Sequence, residues 1–207
     1  MPQPLSELDR WNDRYGGSDY WFGTAPNAFL MAQHERLAPG LSALCIADGE
    51  GRNSVWLAEQ GLAVTAFDFS PVGCAKATRL AAEHDVQVDL RVADVDGWDW
   101  QPDCYDVVAA IFVQFATPAM RERLFNGIVR TLKPRGLLIL QGYRTEQIAY
   151  GTGGPKQVEH LYTEALLREH FKSLDILNLA SRDAVIEEGP GHSGTSALID
   201  LVARKPH

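Results

Sequence analysis

The first chemical signal lies in paired glycines, in carboxylates that close apolar runs, and in a histidine set between glycines. Ser42 to Asn53 reads Ser-Ala-Leu-Cys-Ile-Ala-Asp-Gly-Glu-Gly-Arg-Asn, an apolar run that turns at Gly49-x-Gly51. A run that turns on small residues straight into a helix leaves room for a ligand and aims unpaired helix N–H groups at it. Asp68 closes the next apolar run, 19 residues after Gly49. At about that separation a carboxylate is placed to accept from both hydroxyls of a bound ribose. Asp94 follows a third run, where it could accept from an exocyclic amine such as adenine N6. Turn and acids together read as a nucleoside site.

Charge narrows the nucleoside. A pyrophosphate cradle wants a further Gly or Ala three residues after the second glycine. Ser54 stands there, and Asp48 and Glu50 inside the turn would repel phosphates. A cationic, phosphate-free nucleoside suits the turn better, and S-adenosylmethionine, with its sulfonium and ammonium, fits. The groups that could handle a proton or hold an acceptor lie further on. They are His192 in a glycine-flanked loop, Tyr143 and Arg144 after the fifth apolar run, Gln114 after the fourth, and His160. A soft anion such as a thiolate or a selenium or tellurium species needs little base, whereas oxygen and nitrogen nucleophiles usually need a proton removed. His34, His84, His170 and His207 read as surface or helix residues, Cys45 and Cys74 as core residues, and no metal constellation is visible.

The elements that must hold these groups alternate. A helix is expected over 4–15, with Ser6, Glu7 and Asp9 at its start, then an aromatic, glycine-rich loop from Tyr15 to Gly23 that packs on the body or covers something. A second helix runs from Pro26 or Asn27 to Leu37 and stops at Pro39-Gly40. Strands are expected at Leu44 to Ala47, Leu62 to Phe67, Val86 to Val92, Tyr105 to Val113 and Gly136 to Gln141. The helices between them are Arg52 to Gln60, Ser70-Pro71 to Glu83, and Thr117-Pro118 to Lys133-Pro134. After a glycine-rich loop from Tyr150 to Pro155, Thr163 caps a helix to His170, and Leu174 to Leu179 and Ser196 to Ala203 are the last strands. Strand and helix at short spacing make a parallel sheet covered on both faces.

Composition sets the outer bounds. At 207 residues with 45% hydrophobic content the chain is expected to be one domain, residues 1–207. A net charge of −8 without a Lys/Arg run disfavours nucleic acid and anionic membrane as partners. Three scattered cysteines suggest neither a disulfide framework nor a zinc knuckle. No apolar run has the ~18 residues of a membrane span. Met1 to Arg10 lacks a signal peptide's pattern, so a cytoplasmic location is the default expectation.

On these residues the chain resembles a class I S-adenosylmethionine-dependent methyltransferase, similar to the small bacterial tellurite-resistance and thiopurine-type branch. The resemblance rests on Gly49-Glu50-Gly51-Arg52-Asn53, Asp68, Ala93-Asp94 and Leu132-Lys133-Pro134-Arg135-Gly136. It also rests on Trp11-Asn12-Asp13-Arg14-Tyr15, Tyr20 and Gly23-Thr24-Ala25-Pro26-Asn27, and covers roughly 11–204. It implies a Rossmann-like α/β three-layer sandwich with a seven-stranded, mostly parallel sheet, order 3-2-1-4-5-7-6 and the last strand antiparallel, with residues 1–40 as a helical cap over the cofactor. It implies that Asp68 holds the ribose, that Ala93, Asp94 and Val95 bracket the adenine, and that Gly49 and Gly51 underlie the methionine moiety beneath Arg14 and Tyr15. Ala47, Asn53, Phe69 and Ser70 join the cofactor set, and Val113, Gln114 and Phe115 face the methyl group. His192, Gln114, Tyr143 and Arg144 are the catalytic candidates on a small-molecule acceptor, a thiol, selenium or tellurium oxyanion or similar. The chain departs from the family at Cys45, where most members have an acid, at Ala47, where they have glycine, and at Arg135 for glycine. Asp48 is the candidate to replace the missing acid near the cofactor ammonium. A non-catalytic cofactor sensor is the alternative. A short-chain oxidoreductase is less favoured, since its Tyr-x-x-x-Lys pair after the fourth strand is missing.

Overall fold

The structure, a computed structural model, describes residues 5–207. In chain order the elements are α1 (Glu7–Tyr15), α2 (Ala28–Met31), β1 (Ser42–Ile46), α3 (Arg52–Glu59), β2 (Ala63–Asp68), α4 (Pro71–Glu83), β3 (Val88–Val92) and β4 (Tyr105–Ile111). They continue with α5 (Pro118–Thr131), β5 (Leu132–Tyr143), α6 (Gln147–Tyr150), α7 (Glu164–His170), β6 (Asp175–Glu187) and β7 (Ser193–Arg204). One seven-stranded sheet has the order β3-β2-β1-β4-β5-β7-β6. β1 to β5 pair in parallel, while β7 lies antiparallel between β5 and β6. This is the order expected of the Rossmann-like methyltransferase fold.

Strand periodicity explains the two layers of core. Along β1, Ala43 and Cys45 point to one face, toward Leu57 and Leu30, and Leu44 and Ile46 to the other, toward Leu124 and Phe125. β4 repeats the division with Val107 and Ala109 against Val108 and Ala110. Both strands are thereby buried on both sides, as their continuous apolar runs require.

Helix starts follow local chemistry. Ser6, Asn27, Ser70, Thr117 and Thr163 each accept a backbone N–H of the first turn from their side-chain oxygen, and Pro71 and Pro118 follow two of these caps. Four boundaries differ from expectation. The second helix is a single turn followed by a 3-10 turn at His34–Arg36. β5 begins at Leu132, directly where α5 ends, and passes the Lys133-Pro134-Arg135 segment through a register shift against β4. α6 falls in a stretch, before the expected loop at Tyr150, to which no element was assigned. β6 runs on to Glu187, far beyond its expected end at Leu179, and pairs with β7 in a long hairpin, because an exposed edge strand needs no hydrophobic run to stay paired.

Candidate active site

The carboxyl ends of β1 and β4 adjoin where the strand order reverses, which is where open α/β sheets bind ligands. Both chains leave their strands through a strained residue: Ala47 at φ 48° and Phe112 at φ 54°. Non-glycine residues held there cost roughly 1–3 kcal/mol each, and such strain gathers at ligand sites. Both line a cleft of about 660 Å³ that runs from α1 to the β6–β7 hairpin tip. The alanine that replaces the family's glycine therefore occupies a position that still demands glycine's backbone geometry.

One end of the cleft is acidic. Asp68, at the end of β2, accepts Gly49 N–H at 3.0 Å and Ser70 N–H at 2.8 Å, so it pins the glycine turn. Burial pushes its carboxyl up to about 6, against these bonds and with help from Asp48. Asp48 accepts the Ser54 hydroxyl and Ser54 N–H. Burial raises it likewise to about 6, although Ser54 and the Arg52 charge oppose the rise. Gly49, at φ 62°, lies under Tyr15, whose Oη is 2.8 Å from where a Cβ would be. Burial, Asp68 and Glu50 all hold the Tyr15 hydroxyl above its ordinary value. Arg14 lies over the Trp11 and Trp21 rings, 4.4 and 5.5 Å from their centroids, at the lip.

Glu50 corrects the charge argument made from sequence. It turns away from the cleft, is 3% exposed, and pairs with Lys76 Nζ at 2.7 Å while accepting Trp21 N–H at 2.7 Å. Its charge is neutralised, so of the turn's two acids only Asp48 presents one to a ligand. The aromatic loop is fastened by this bond and by Gly191 N–H to Trp21 O. It both packs on the body and forms one wall, with Trp21 and Phe22 in the cleft.

The other end is aromatic. His192 is packed by Phe22, Phe112 and Tyr143 at centroid distances of 4.5, 4.2 and 5.7 Å. Tyr143 is 1% and His192 7% exposed, and among the described residues Tyr143 Oη and His192 Nδ1 have no hydrogen-bond partner within bonding distance. Burial, then Glu188, raises the Tyr143 hydroxyl, and burial lowers His192, favouring neutral imidazole. His192 Nδ1 stands 4.0 Å from Glu188 Oε2, which pairs with Arg52 at 2.7 Å. Burial favours a neutral Glu188, but His192, Arg52 and Asn27 outweigh it and bring the carboxyl to about 2.

Gln114, expected near the chemistry, lines the cleft but has its amide committed. It donates to Tyr143 O at 2.9 Å and His160 O at 3.1 Å and accepts Tyr143 N–H at 2.6 Å. It is a brace between β5 and the 160 loop. Arg144 does not share the mouth as expected; Asp183 and Glu146 draw its guanidinium aside. Val113 is buried in the core, and Phe112 takes the lining position instead. Of the proposed cofactor set, Arg14, Tyr15, Ala47, Asp48, Gly49, Asn53, Asp68 and Phe69 meet in the cleft, and His160 lies at its rim. Gly51 instead packs on Ala77, and Ser70 caps α4 while donating to Asn12. Ala93 and Val95 pack on the core beside the cleft, and Asp94 accepts Gly97 N–H at 2.6 Å. Sequence reasoning missed Arg52, Phe22, Phe112 and Glu188. Arg52 adjoins the glycine turn and Phe22 the aromatic cluster, whereas Glu188 carries no local signal.

Residues 43–136 match the family model described as a methyltransferase domain. Over 127 residues the chain is 29% identical to a ubiquinone biosynthesis O-methyltransferase of Rickettsia conorii (strain ATCC VR-613 / Malish 7), covering 60% of this chain and 43% of that protein. The match thus spans less than half of that relative's length. Two solved structures share the fold. TehB from Haemophilus influenzae superposes with a TM-score of 0.73 at 16% identity, over 97% of this chain and 68% of that one. The N-methyltransferase NodS from Bradyrhizobium japonicum WM9, in complex with S-adenosyl-L-homocysteine, gives 0.70 at 14% identity, over 97% and 98%. The matched segment holds the glycine turn, Asp48, Asp68 and Asp94. Residues 43–136 are thus similar to a methyltransferase domain, and the chain as a whole has the fold of these two solved structures.

Proposed function

We propose that the chain transfers a methyl group from S-adenosylmethionine to a small-molecule acceptor. The observation that carries this is the pair Asp48, half-buried, and Asp68, buried, at adjacent strand ends over a left-handed glycine turn. The residues suit the cofactor: two enclosed carboxylates, both held above their ordinary range, gain from a ligand that brings hydroxyl donors and positive charge. Asp68 would take the ribose hydroxyls and Asp48 the ammonium. Arg14 and Tyr15 would close over the methionine moiety, and Ala93, Asp94 and Val95 would flank the adenine. Bound there, the cofactor supplies an electrophilic methyl carbon, and the chain's task is to position the acceptor in line with it. Phe22, Phe112, Tyr143 and His192 form the acceptor end. Residues 1–207 act as one unit in which the segment up to residue 40 serves as a cap.

The finer placement, near the tellurite-resistance and thiopurine-type branch, is supported by the Trp11–Tyr15 and Gly23–Asn27 motifs. The O-methyltransferase name of the curated relative points to oxygen acceptors instead. Titration calorimetry with S-adenosylmethionine, S-adenosylhomocysteine and NAD tests the cofactor. Tight binding of the first two is expected, and binding of NAD alone would overturn the assignment. Asp68→Ala should weaken cofactor binding at least tenfold. Radiolabelled methyl donor offered to phenols, thiols, selenite and tellurite separates an enzyme from a sensor.

A further inference from the structure

We propose that Glu188 is a positioning residue for His192, and that the acceptor carries a proton-bearing hydroxyl which His192 Nε2 deprotonates. The inference rests on the proposed methyl transfer and names its substrate class: a small hydroxyl compound, phenolic or enolic, in place of a preformed soft anion.

The geometry begins at the hairpin tip. Glu188 N–H donates to His192 O at 2.7 Å and His192 N–H to Gly189 O at 3.2 Å, so a tight turn fixes the two side chains beside each other. The Glu188 carboxylate is itself fixed from two further elements, the start of α2 and the start of α3. Asn27 Nδ2 donates to Oε1 at 2.9 Å, Ala28 N–H at 3.3 Å, and Arg52 holds Oε2 at 2.7 Å. A charge so anchored cannot turn toward water, and its Oε2 lies 4.0 Å from His192 Nδ1.

Nδ1 is buried without any other partner. Its proton therefore belongs on the Glu188 side, which leaves the Nε2 lone pair for the cleft that His192 lines. The charged groups facing the imidazole are Glu188 from the β6–β7 turn, Arg52 from α3 and Arg14 from α1. Phe22, Phe112 and Tyr143 complete the enclosure with rings. A neutral imidazole in such a box is ready to accept a proton, and the fixed carboxylate stabilises the imidazolium that results. The acceptor's O–H proton goes to Nε2, the oxygen keeps the bonding pair, and the imidazolium later returns the proton to solvent. A thiolate or an oxyanion arrives without a proton to lose and would use neither the imidazole nor the carboxylate.

The test reads the histidine directly. Nitrogen-15 NMR of His192 in the full chain should show the Nδ1–H tautomer and a titration below the ordinary histidine value. Glu188→Gln should move that titration to lower pH. Arg52→Gln should move it to higher pH, and this opposite sign keeps the test informative if the first variant does not fold. An Nε2–H tautomer, or a titration unmoved in both variants, overturns the proposal. With cofactor binding established by calorimetry, methyl transfer to catechol should rise with pH along the same titration and fall at least tenfold in Glu188→Gln. Transfer to thiophenol should be indifferent to that substitution. Transfer to the thiol alone, or no transfer to catechol or other phenols, overturns the hydroxyl assignment. A chain that does not bind the cofactor fails the proposed function first, and the NMR result then stands or falls by itself.

Discussion

At the scale of single residues, the acids of the glycine turn set how the protein responds to pH. Asp68 titrates at about 6 in the folded chain and near 3.9 when unfolded. Between those values the native carboxyl holds a proton that the unfolded chain has released, so the empty protein loses stability as pH rises and levels off above 6. A shift of about two units corresponds to at most about 3 kcal/mol. His192, lowered by burial, contributes the opposite slope just below its ordinary value, so the comparison must be made against a variant. Asp68→Asn should remove the Asp68 part of the slope in thermal melts between pH 4 and 7, whatever it does at any one pH. Cofactor affinity should fall as pH drops through 6, by up to about tenfold per unit, since ionised Asp68 is the form that accepts both ribose hydroxyls. An affinity flat from pH 5 to 8 would remove Asp68 from that role. The acid, its spacing and its partner turn were all readable from sequence. Its elevated titration was not, because that depends on Tyr15 and the α1 cap closing the site from a distant part of the chain.

At the scale of elements, local chemistry was largely legible and packing partners were not. Ser70-Pro71, Thr117-Pro118 and Thr163 announce their helices because a cap acts within one turn. The strands β1, β2 and β4 announce themselves because burial on both faces leaves continuous apolar runs. The part of β6 beyond Leu179 escaped because its residues face solvent along an edge, and α6 because one turn is too short for a period. The glycine pair shows the same limit. Sequence assigned both glycines to the floor of the cofactor site, yet a Cβ on Gly51 would lie 2.7 Å from Ala77 Cβ and 2.8 Å from its Cα, where α3 and α4 touch. Neither backbone can yield, and φ is +95°. Gly51→Ala should therefore lower the melting temperature by roughly 10 °C, for overpacking of about 1–3 kcal/mol plus about 1–2 for a left-handed alanine. Gly49→Ala, at φ +62°, carries the same left-handed cost but meets the far end of the Tyr15 side chain in place of backbone. It should melt closer to the parent while binding S-adenosylmethionine at least tenfold more weakly. Equal losses of stability and binding in the two variants would show that the glycines are not divided in this way.

At the scale of the whole molecule, a buried polar chain joins segments that the sequence holds far apart. Arg182 pairs with Asp200 across β6 and β7, Asp200 accepts Gln141, Gln141 accepts Asn27, and Asn27 donates to Glu188, which holds Arg52. Two of these contacts span 114 and 161 residues. No window of sequence displays such a pairing, which is why Glu188 and Arg52 went unread while the glycine turn beside them did not. Asn27 is the link that couples cap to sheet: it is fully buried, and its Oδ1 also caps α2 at Leu30. Asn27→Ala removes that cap, worth about 1 kcal/mol. It also leaves Gln141 Oε1 and one Glu188 oxygen short of a donor, at about 1–3 kcal/mol each. A loss of roughly 3–7 kcal/mol is expected, or about 10–20 °C in melting temperature. The loss should not stay local, because the same residue holds the hairpin tip that backs His192 and, through Gly191 and Trp21, the aromatic loop. Hydrogen exchange should quicken together at residues 20–30 and 187–193, with β1 and β4 unchanged, and cofactor affinity should drop as the Arg14–Tyr15 cover loosens. Faster exchange confined to 27–31, with affinity intact, would reduce Asn27 to an ordinary helix cap and leave the two ends of the cleft mechanically separate.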